Sequence, residues 1–501
     1  MKACKILKAA LLPAFIFIFI AAGSGHASDL KEKVLKQKLP NGITVLMLKR
    51  HLSPTVSLYI RYRVGAVDET KGESGAAHFL EHIMFKGTTS IGTNDYQAEK
   101  ALMEEIKNAG RRLDAEKRKG QKADPETLAN LSAVLKKLQD EHKKYFLPNE
   151  IDRLYTENGG LDMNASTGQD VTSYHVSLPA NKIELWARIE SDRLLHSVFR
   201  EFYTERDVVM EERRQRVESD PEGKLYEKFM STAYTVHPYG RPVLGWTEDL
   251  MNLSPDELEK ILKKYKDPRN IVIAVVGDIK PEPTLKLIEK YFGGIPPAAE
   301  KTESYIPAEP PQTEERRVNV AFDANPSLII GFRKPNAPAR EDYVFDVIET
   351  ILTRGRTSRL YTTLVIDRQI AQSVSAVNGL PGSRFPNLFA LFAQPRHPHS
   401  NIELENDILK EIEKLKTQPV SDEELMKAKN HIKMSYLQSL DANADIASIL
   451  SYYEVLLGDY RYFADYLDNI DKVTAADIRQ IAARYLNSNN RTTAFLNKEG
   501  G

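Results

Sequence analysis

The stretch Gly75-Ala-Ala-His78-Phe-Leu-Glu81-His82-Ile-Met-Phe85 contains the pattern His-x-x-Glu-His. At 3.6 residues per turn, His78 and His82 would lie one turn apart on the same face of a helix, with Glu81 beside them. Two imidazoles in that arrangement can bind one zinc ion, and a neighbouring carboxylate can act as a base. Two core histidines are the alternative interpretation of the bare pattern. The stretch predicts a helix that carries a zinc site.

The start of the chain has the features of an export signal. Three lysines precede an apolar run at residues 9–22, and small residues follow up to Ala27. We expect cleavage after Ala27, which would make residues 1–27 a signal peptide. An uncleaved membrane anchor is the alternative, but the run is short and Pro13 interrupts it.

The cysteine and charge content narrow the chemistry. Cys4 is the only cysteine and lies within the predicted signal. The mature protein would therefore have no disulfide and no thiol chemistry, and zinc would be held by His and carboxylates. The 69 basic and 70 acidic residues give no global charge bias. Nothing in this balance points to nucleic acid as a partner.

Two segments far apart in the chain resemble each other. Residues 253–265 and 473–485 both begin with Ser or Thr as a helix cap, keep apolar residues at helical spacing and reach Tyr at the same offset. A strand is predicted after each. The repeat indicates two halves of shared ancestry, with a common helix-then-strand unit as the alternative explanation. The second copy has no His-x-x-Glu-His.

Strands that alternate with amphipathic helices predict an α+β fold of two homologous halves, each a β-sheet covered by α-helices. Residues 296–315 are rich in Pro and Glu and read as a linker, so we expect a domain boundary near residue 305, between domains at 28–304 and 305–501. Residues 97–147 are rich in Lys and Glu and broken around 120–125, which predicts an inserted helical hairpin. It could be a solvated arm or a docking arm for a partner or substrate.

A catalytic zinc with two His ligands needs a third protein ligand and an open position for water. The charged helix predicted at 203–213 offers several Glu. Glu205 and Glu212 are seven residues apart and share a face, whereas Glu211 is turned by about 100° from Glu212. The spacing selects Glu212 and Glu205 as a ligand and its supporting carboxylate. Solvated surface charges are the alternative.

At this point the chain resembles the inverted-zincin metallopeptidases of the pitrilysin, insulysin and mitochondrial processing peptidase type, and within them a bacterial branch similar to the processing peptidases. The resemblance covers nearly the whole mature chain. The matching stretches, in chain order, are 39–42 (Leu-Pro-Asn-Gly), 75–88, 164–167 (Asn-Ala-Ser-Thr), 205–212, 237–242 (His-Pro-Tyr-Gly-Arg-Pro), 277–278 (Gly-Asp) and 357–360 (Thr-Ser-Arg-Leu).

The resemblance implies a role for each residue of the motif. His78, His82 and Glu212 would bind one zinc ion per chain. Glu81 would be the general base, and Glu205 would support a zinc ligand from behind. Together these roles imply hydrolysis of peptide bonds.

The resemblance also implies how substrate is bound. Asn164 matches a position near the active site where an amide can hold substrate backbone. Family members bind peptides as an added strand, within a chamber enclosed by the two halves, and this tolerates many side chains. We therefore expect a peptide-binding chamber here.

One part of the family pattern is missing. Single-chain active members usually carry an Arg and a Tyr, seven residues apart, after the Ser-Arg-Leu segment. Val365 and Gln372 stand at those places, and Arg368 could substitute only in part. Either a related partner subunit without the metal motif completes the site in a heterodimer, or the chain works alone or as a homodimer with altered substrate binding.

The sequence thus predicts an exported zinc metalloendopeptidase, periplasmic or secreted, that cuts peptides or unfolded segments. The rival interpretation is a non-catalytic subunit, a peptide-binding or assembly scaffold of the same fold. Scaffold relatives tend to lose the metal motif, so the intact His-x-x-Glu-His and Glu212 favour the enzyme.

Overall fold

Two β-sheets organise the chain, one in each half of the computed structural model, which describes residues 30–297 and 305–498. The predicted signal peptide at 1–27 lies outside the described residues. Six strands form the first sheet in the order β1-β2-β6-β3-β5-β4, and five form the second in the order β7-β11-β8-β10-β9. The strands are β1 Leu35–Lys38, β2 Thr44–Lys49, β3 Thr55–Tyr62, β4 Leu161–Thr167, β5 Thr172–Pro179, β6 Ile271–Gly277, β7 Arg316–Phe322, β8 Ser327–Lys334, β9 Ala371–Leu380, β10 Asn387–Pro395 and β11 Arg491–Lys498.

The two sheets share one topology. Strands β2-β6-β3-β5-β4 correspond in order to β7-β11-β8-β10-β9. In each sheet only the first pair of this series is parallel, β2 with β6 and β7 with β11, and the other pairs are antiparallel. The predicted fold of two homologous halves, each a sheet covered by helices, is confirmed.

The repeated segments form matching helices. Ser254 caps one helix and Thr474 caps the other, each in a reciprocal capping box with an acidic residue three positions on, Glu257 or Asp477. The helices are α1 Ala76–Met84, α2 Tyr96–Lys117, α3 Pro125–His142, α4 Glu150–Glu157, α5 Ile183–His196, α6 Phe202–Arg213, α7 Pro221–Ala233, α8 Thr247–Asn252, α9 Pro255–Tyr265, α10 Pro281–Phe292, α11 Arg340–Thr353, α12 Asn401–Thr417, α13 Asp422–Gln438, α14 Asn443–Leu457, α15 Tyr462–Asp471 and α16 Ala475–Tyr485.

A helix from each half packs on the sheet of the other half. Both faces of β2 are apolar, and on one of them Leu46 and Leu48 pack with Leu450 of α14, from the second half. Reciprocally, Phe229 of α7 packs on the second sheet. A β-carbon at Gly331 of β8 would lie 2.4 Å from the Phe229 ring, so a glycine in this strand makes room for the helix. The exchange covers faces that would otherwise expose apolar strands to water.

The stretch predicted as an inserted hairpin contains helices α2 and α3, which pack against each other and are here called the inserted hairpin. Its outer face is charged and exposed, but Leu113, Asp114 and Glu99 are buried. The hairpin is therefore only partly solvated, and one face of α2 packs on the body of the first half.

The predicted boundary near residue 305 falls between the two sheets, whose nearest strands end at Gly277 and begin at Arg316. Residues 305–315 contain no helix or strand. Within residues 30–297 and 305–498, no helix has both the length and the apolar character to cross a membrane.

Candidate active site

Helix α1 is preceded by Gly75, a position that only glycine can occupy. Gly75 has φ +88°, and a β-carbon there would lie 2.8 Å from the carbonyl oxygen of Leu244. Because glycine has no side chain to cap the helix, the buried carboxylate of Glu69 accepts hydrogen bonds from the backbone N–H groups of Gly75 (3.0 Å) and Ala77 (2.8 Å). Burial raises the pKa of Glu69 to about 8, although these hydrogen bonds oppose the shift. The start of α1 is thus anchored inside the protein.

The predicted ligands converge on one point. His78 and His82 lie one turn apart on α1, with ring centroids 4.7 Å apart. Oε2 of Glu212, on α6, lies 3.7 Å from Nε2 of His78 and 3.4 Å from Nε2 of His82. Ligands about 2.1 Å from a tetrahedrally coordinated zinc lie about 3.4 Å from one another. The donor set and its spacing therefore fit zinc.

The electrostatics of His78 also suit a metal ligand. Burial, together with the nearby His82 and Arg216, lowers the pKa of His78 to about 3. The imidazole is therefore neutral at physiological pH, which is the form that binds metal. Its buried Nδ1 atom has no hydrogen-bond partner among the described residues.

Glu205 lies behind His82, on its far side from Glu212. Its Oε1 is 3.0 Å from Nδ1 of His82 and its Oε2 is 2.5 Å from Nζ of Lys86. Because a carboxylate only accepts hydrogen bonds, Nδ1 of His82 carries the hydrogen and Nε2 is left facing Glu212. Burial would raise the pKa of Glu205, but bonds from His82 and Lys86 outweigh it and lower that pKa. The sequence analysis did not predict a role for Lys86. Its position one helical turn after His82 is the sequence feature that could have indicated one.

Glu81 faces the strand β4. The hydroxyl of Thr167 donates a hydrogen bond of 2.6 Å to its Oε2. Burial raises the pKa of Glu81, the Thr167 bond opposes that shift, and the charge of Glu212 adds to it. A carboxylate with a raised pKa beside a candidate metal site suits a base that must accept a proton and return it.

Thr167 and Asn164, the residue predicted from the sequence to bind substrate, lie on opposite faces of β4. Residues three apart in a strand point to opposite faces, so Asn164 points away from Glu81. Its side chain is exposed, and its Oδ1 accepts a hydrogen bond from the N–H of Ala165 at 2.9 Å. The structure thus brings Thr167, rather than Asn164, to the candidate base. Alternation along the Asn-Ala-Ser-Thr segment was the signal that could have found it.

The second half contributes no Arg and Tyr pair at the aligned positions. Val365 packs against the apolar core of its half, and Gln372 is exposed on β9. Arg368, which could have substituted in part, has its guanidinium 2.5 Å from the buried carboxylate of Asp407. It is therefore already paired within the second half.

Comparison with protein families matches most of the chain. Residues 44–122 and 119–247 match the family model described as insulinase, peptidase family M16. Residues 252–432 match the model described as the peptidase M16 inactive domain. This chain belongs to peptidase family M16. The resemblance to pitrilysin-type peptidases is confirmed. The match to the inactive-domain model begins near the end of the first half and continues into the second half, and residues 252–432 contain no His-x-x-Glu-His.

Relatives of this M16 protein carry protease names. It is 26% identical over 490 residues to the zinc protease PqqE of Helicobacter pylori, covering 96% of each chain. It is 23% identical over 460 residues to a probable mitochondrial-processing peptidase subunit beta of Arabidopsis thaliana, covering 89% of this chain and 75% of that one.

Solved structures share the fold of this M16 chain. A protease from Helicobacter pylori matches with a TM-score of 0.77 at 24% identity, over 93% of this chain and 99% of that one. The first half of the periplasmic protease PqqL from Escherichia coli matches with a TM-score of 0.68 at 16% identity, over 93% and 92% of the two chains. At these identities the likeness shows the fold alone.

Proposed function

We propose that this M16 protein is an exported, zinc-dependent endopeptidase that hydrolyses peptides or unfolded segments. The observation that carries the proposal is the cluster of His78, His82 and Glu212, whose ligand atoms all lie within 4.8 Å of one another, with Glu81 beside it. The zinc protease names of relatives along the whole chain support it.

His78, His82 and Glu212 would hold the zinc ion. A bound zinc ion lowers the pKa of its water toward neutrality and polarises a peptide carbonyl. Glu81 accepts the proton of the attacking water on its carboxylate and returns it to the leaving amine. Thr167 keeps that carboxylate turned toward the site, and Glu205 keeps His82 in the tautomer whose Nε2 is free to bind metal.

Strand β4 is the proposed platform for the peptide. It is the last strand of the first sheet, and none of the described strands pairs with its outer edge. A peptide that adds to this edge would use main-chain hydrogen bonds, next to Thr167 and Glu81. Asn164 points to the other face of β4 from Glu81, but its side chain is exposed on this edge strand, and it is the residue that we expect to hold the substrate backbone.

A partner subunit would complete the site. The core packing of Val365, the exposure of Gln372 and the Asp407 pairing of Arg368 support a heterodimer in which a related chain without the metal motif supplies the missing substrate contacts. A homodimer or a single chain with altered substrate binding is the alternative. The predicted signal peptide supports a periplasmic location.

The deciding experiment measures zinc content and hydrolysis of a mixed peptide library by the purified chain, alone and after addition of a metal-less partner from the same source. Stoichiometric zinc with hydrolysis only in the mixture would support the divided site. Hydrolysis by the chain alone would show that it needs no partner.

A Glu81→Gln variant separates enzyme from scaffold. The enzyme should lose about a thousandfold or more in kcat while it keeps its zinc, because the base is not a ligand. The scaffold interpretation would be favoured if the unaltered chain bound no zinc. It would also be favoured if no mixture hydrolysed peptides and Glu81→Gln left peptide binding unchanged.

A further inference from the structure

We propose, on the basis of the zinc site proposed above, that the inserted hairpin is a brace: it holds α1 and α6 at the separation at which their side chains bind zinc. Helix α1 carries the two His and α6 carries Glu212 and Glu205. These helices are joined to the hairpin by two separate buried ionic contacts, one at the end of α1 and one in the middle of α6.

The first contact lies just beyond the C-terminus of α1. The guanidinium of Arg200, which is completely buried, donates hydrogen bonds to the carbonyl oxygens of Lys86 (3.1 Å) and Thr88 (2.6 Å). Its Nε lies 2.6 Å from Oε1 of Glu99, on α2, and the same oxygen lies 2.8 Å from Nε2 of His142, on α3. Both helices of the hairpin thus hold the arginine that binds the loop directly after the metal-binding helix.

The second contact is on α6 itself. Arg206, next to Glu205 in sequence, forms two parallel hydrogen bonds of 2.8 and 2.9 Å with Asp114 of α2, and both side chains are buried. A bidentate pair of this kind sets orientation as well as distance.

The ring of Tyr203, on α6, packs directly against the backbone of α2 at Gly110. A β-carbon on Gly110 would lie 1.9 Å from the ring of Tyr203. Glycine costs helix stability in a helix interior, so its presence here is explained by the contact that it permits. A side chain at residue 110 would displace the Tyr203 ring from its place against α2.

The distance between α1 and α6 is important because zinc binds its ligands at nearly fixed distances. Zinc accepts its ligands within about 0.2 Å of fixed distances, so a small shift of α6 relative to α1 would displace Glu212 from the two His. Buried ion pairs often add little to stability compared with apolar replacements of similar volume. We infer that the Asp114–Arg206 pair serves instead to specify one arrangement of α2 and α6. If the hairpin is a brace, loss of its contacts should weaken zinc binding, whereas loss of an ordinary stabilising contact should lower only the stability of the fold.

The test compares two double variants of the full chain. Asp114→Asn with Arg206→Met, here called the brace variant, removes both charges of the second contact at once. Neither charge is then left buried without its partner. Glu405→Gln with Arg317→Met removes a bidentate pair (3.1 and 2.6 Å), less deeply buried, that joins β7 to α12 in the second half. For each we would measure the zinc dissociation constant by competition with a chelating indicator, and thermal unfolding of the zinc-free chain.

We expect the brace variant to bind zinc about tenfold more weakly, near the lower end of what partners of metal ligands contribute. The control pair should change thermal unfolding and leave zinc affinity as it is in the unaltered chain. Equal zinc affinity in the brace variant and the unaltered chain would overturn the brace and leave the proposed function standing. An unaltered chain that binds no zinc would overturn the proposed function, and the brace with it.

A pair of size changes tests the same idea if the double variant fails to fold. Gly110→Ala should weaken zinc binding because the new methyl group meets the Tyr203 ring. Gly110→Ala combined with Tyr203→Leu should restore it, because leucine lacks the ring atoms that the methyl group would meet. Zinc affinity that does not change with Gly110→Ala, or is not restored by the second substitution, would contradict the brace.

Discussion

Thr167 donates a hydrogen bond of 2.6 Å to Oε2 of Glu81, across the space between strand β4 and helix α1. The bond links the strand proposed to receive the peptide with the residue proposed as general base. It orients the carboxylate and stabilises its ionised form. Thr167 is therefore a positioning residue whose effect should be visible in turnover.

Replacement of Thr167 by Val keeps the shape of the side chain and removes its hydroxyl. We expect kcat to fall about tenfold, since a hydrogen bond to a charged group contributes about 1.5–3 kcal/mol and part of that is regained from water. KM and zinc content should change little. Steady-state kinetics on one peptide measures this, and Thr167→Ser, which keeps the hydroxyl, should retain most of the activity. A variant with Val and unaltered kcat would contradict the role.

Lys86 should matter through Glu205. Its ammonium lies 2.5 Å from Oε2 of Glu205, whose other oxygen accepts the hydrogen of His82. With Lys86→Met, the carboxylate loses one of its two fixed partners and can rotate, so we expect zinc to bind about threefold to tenfold more weakly. Chelator competition measures the affinity.

The control for Lys86 is another lysine of the same half. Lys290→Met removes an exposed ion pair of 2.8 Å with Glu184, outside the inserted hairpin, and should leave zinc affinity unchanged. In a Glu205→Gln background, Lys86→Met should have almost no further effect on zinc binding. A full additional loss there would mean that Lys86 acts through another group.

Stability at low pH should depend on Glu309, in the connection between the two halves. Its carboxylate accepts hydrogen bonds from the backbone N–H groups of Val236 and His237, each of 2.8 Å. Burial would raise its pKa, but these bonds outweigh it and lower the pKa to about 2. Because the folded-state pKa lies below the unfolded one, its contribution is present above the unfolded pKa and is lost as pH falls toward 2.

We therefore expect acidification from about pH 5 to about pH 2 to lower the free energy of unfolding by up to about 2 kcal/mol more in the unaltered chain than in Glu309→Gln. Urea unfolding at several pH values gives this difference. The exposed neighbour Glu314 provides the control, since Glu314→Gln should leave the acid dependence unchanged. Parallel curves for the unaltered chain and Glu309→Gln would refute the prediction.

Zinc should stabilise the folded chain. A ligand that binds only the folded state adds about 2.7 kcal/mol when its free concentration is 100 times its dissociation constant. We expect chelation to lower the thermal unfolding midpoint of the unaltered chain and re-addition of zinc to restore it. Glu212→Gln removes one proposed ligand and should make the midpoint much less sensitive to zinc. An equal response in both proteins would place the stabilising zinc elsewhere.

Local periodicity explains what the sequence could determine. The spacing of His78 and His82 determines their shared face, because the helical repeat is set by backbone hydrogen bonds within one turn. The same repeat selected Glu212 and Glu205 and rejected Glu211, which is exposed and paired with Arg214 in the structure. The capping residues and the alternation of strands and helices likewise predicted two similar halves.

Tertiary structure decided which distant segments meet. That Thr167 rather than Asn164 reaches Glu81 depends on the register of β4 beside α1, and the exchange of α7 and α14 between the halves depends on which sheet faces lack cover. The inserted hairpin shows the difference most clearly. Its sequence predicted two helices, but the pairing of Asp114 with Arg206 joins residues 92 positions apart. Such contacts depend on how whole elements pack, since no local pattern encodes the partner of a buried charge.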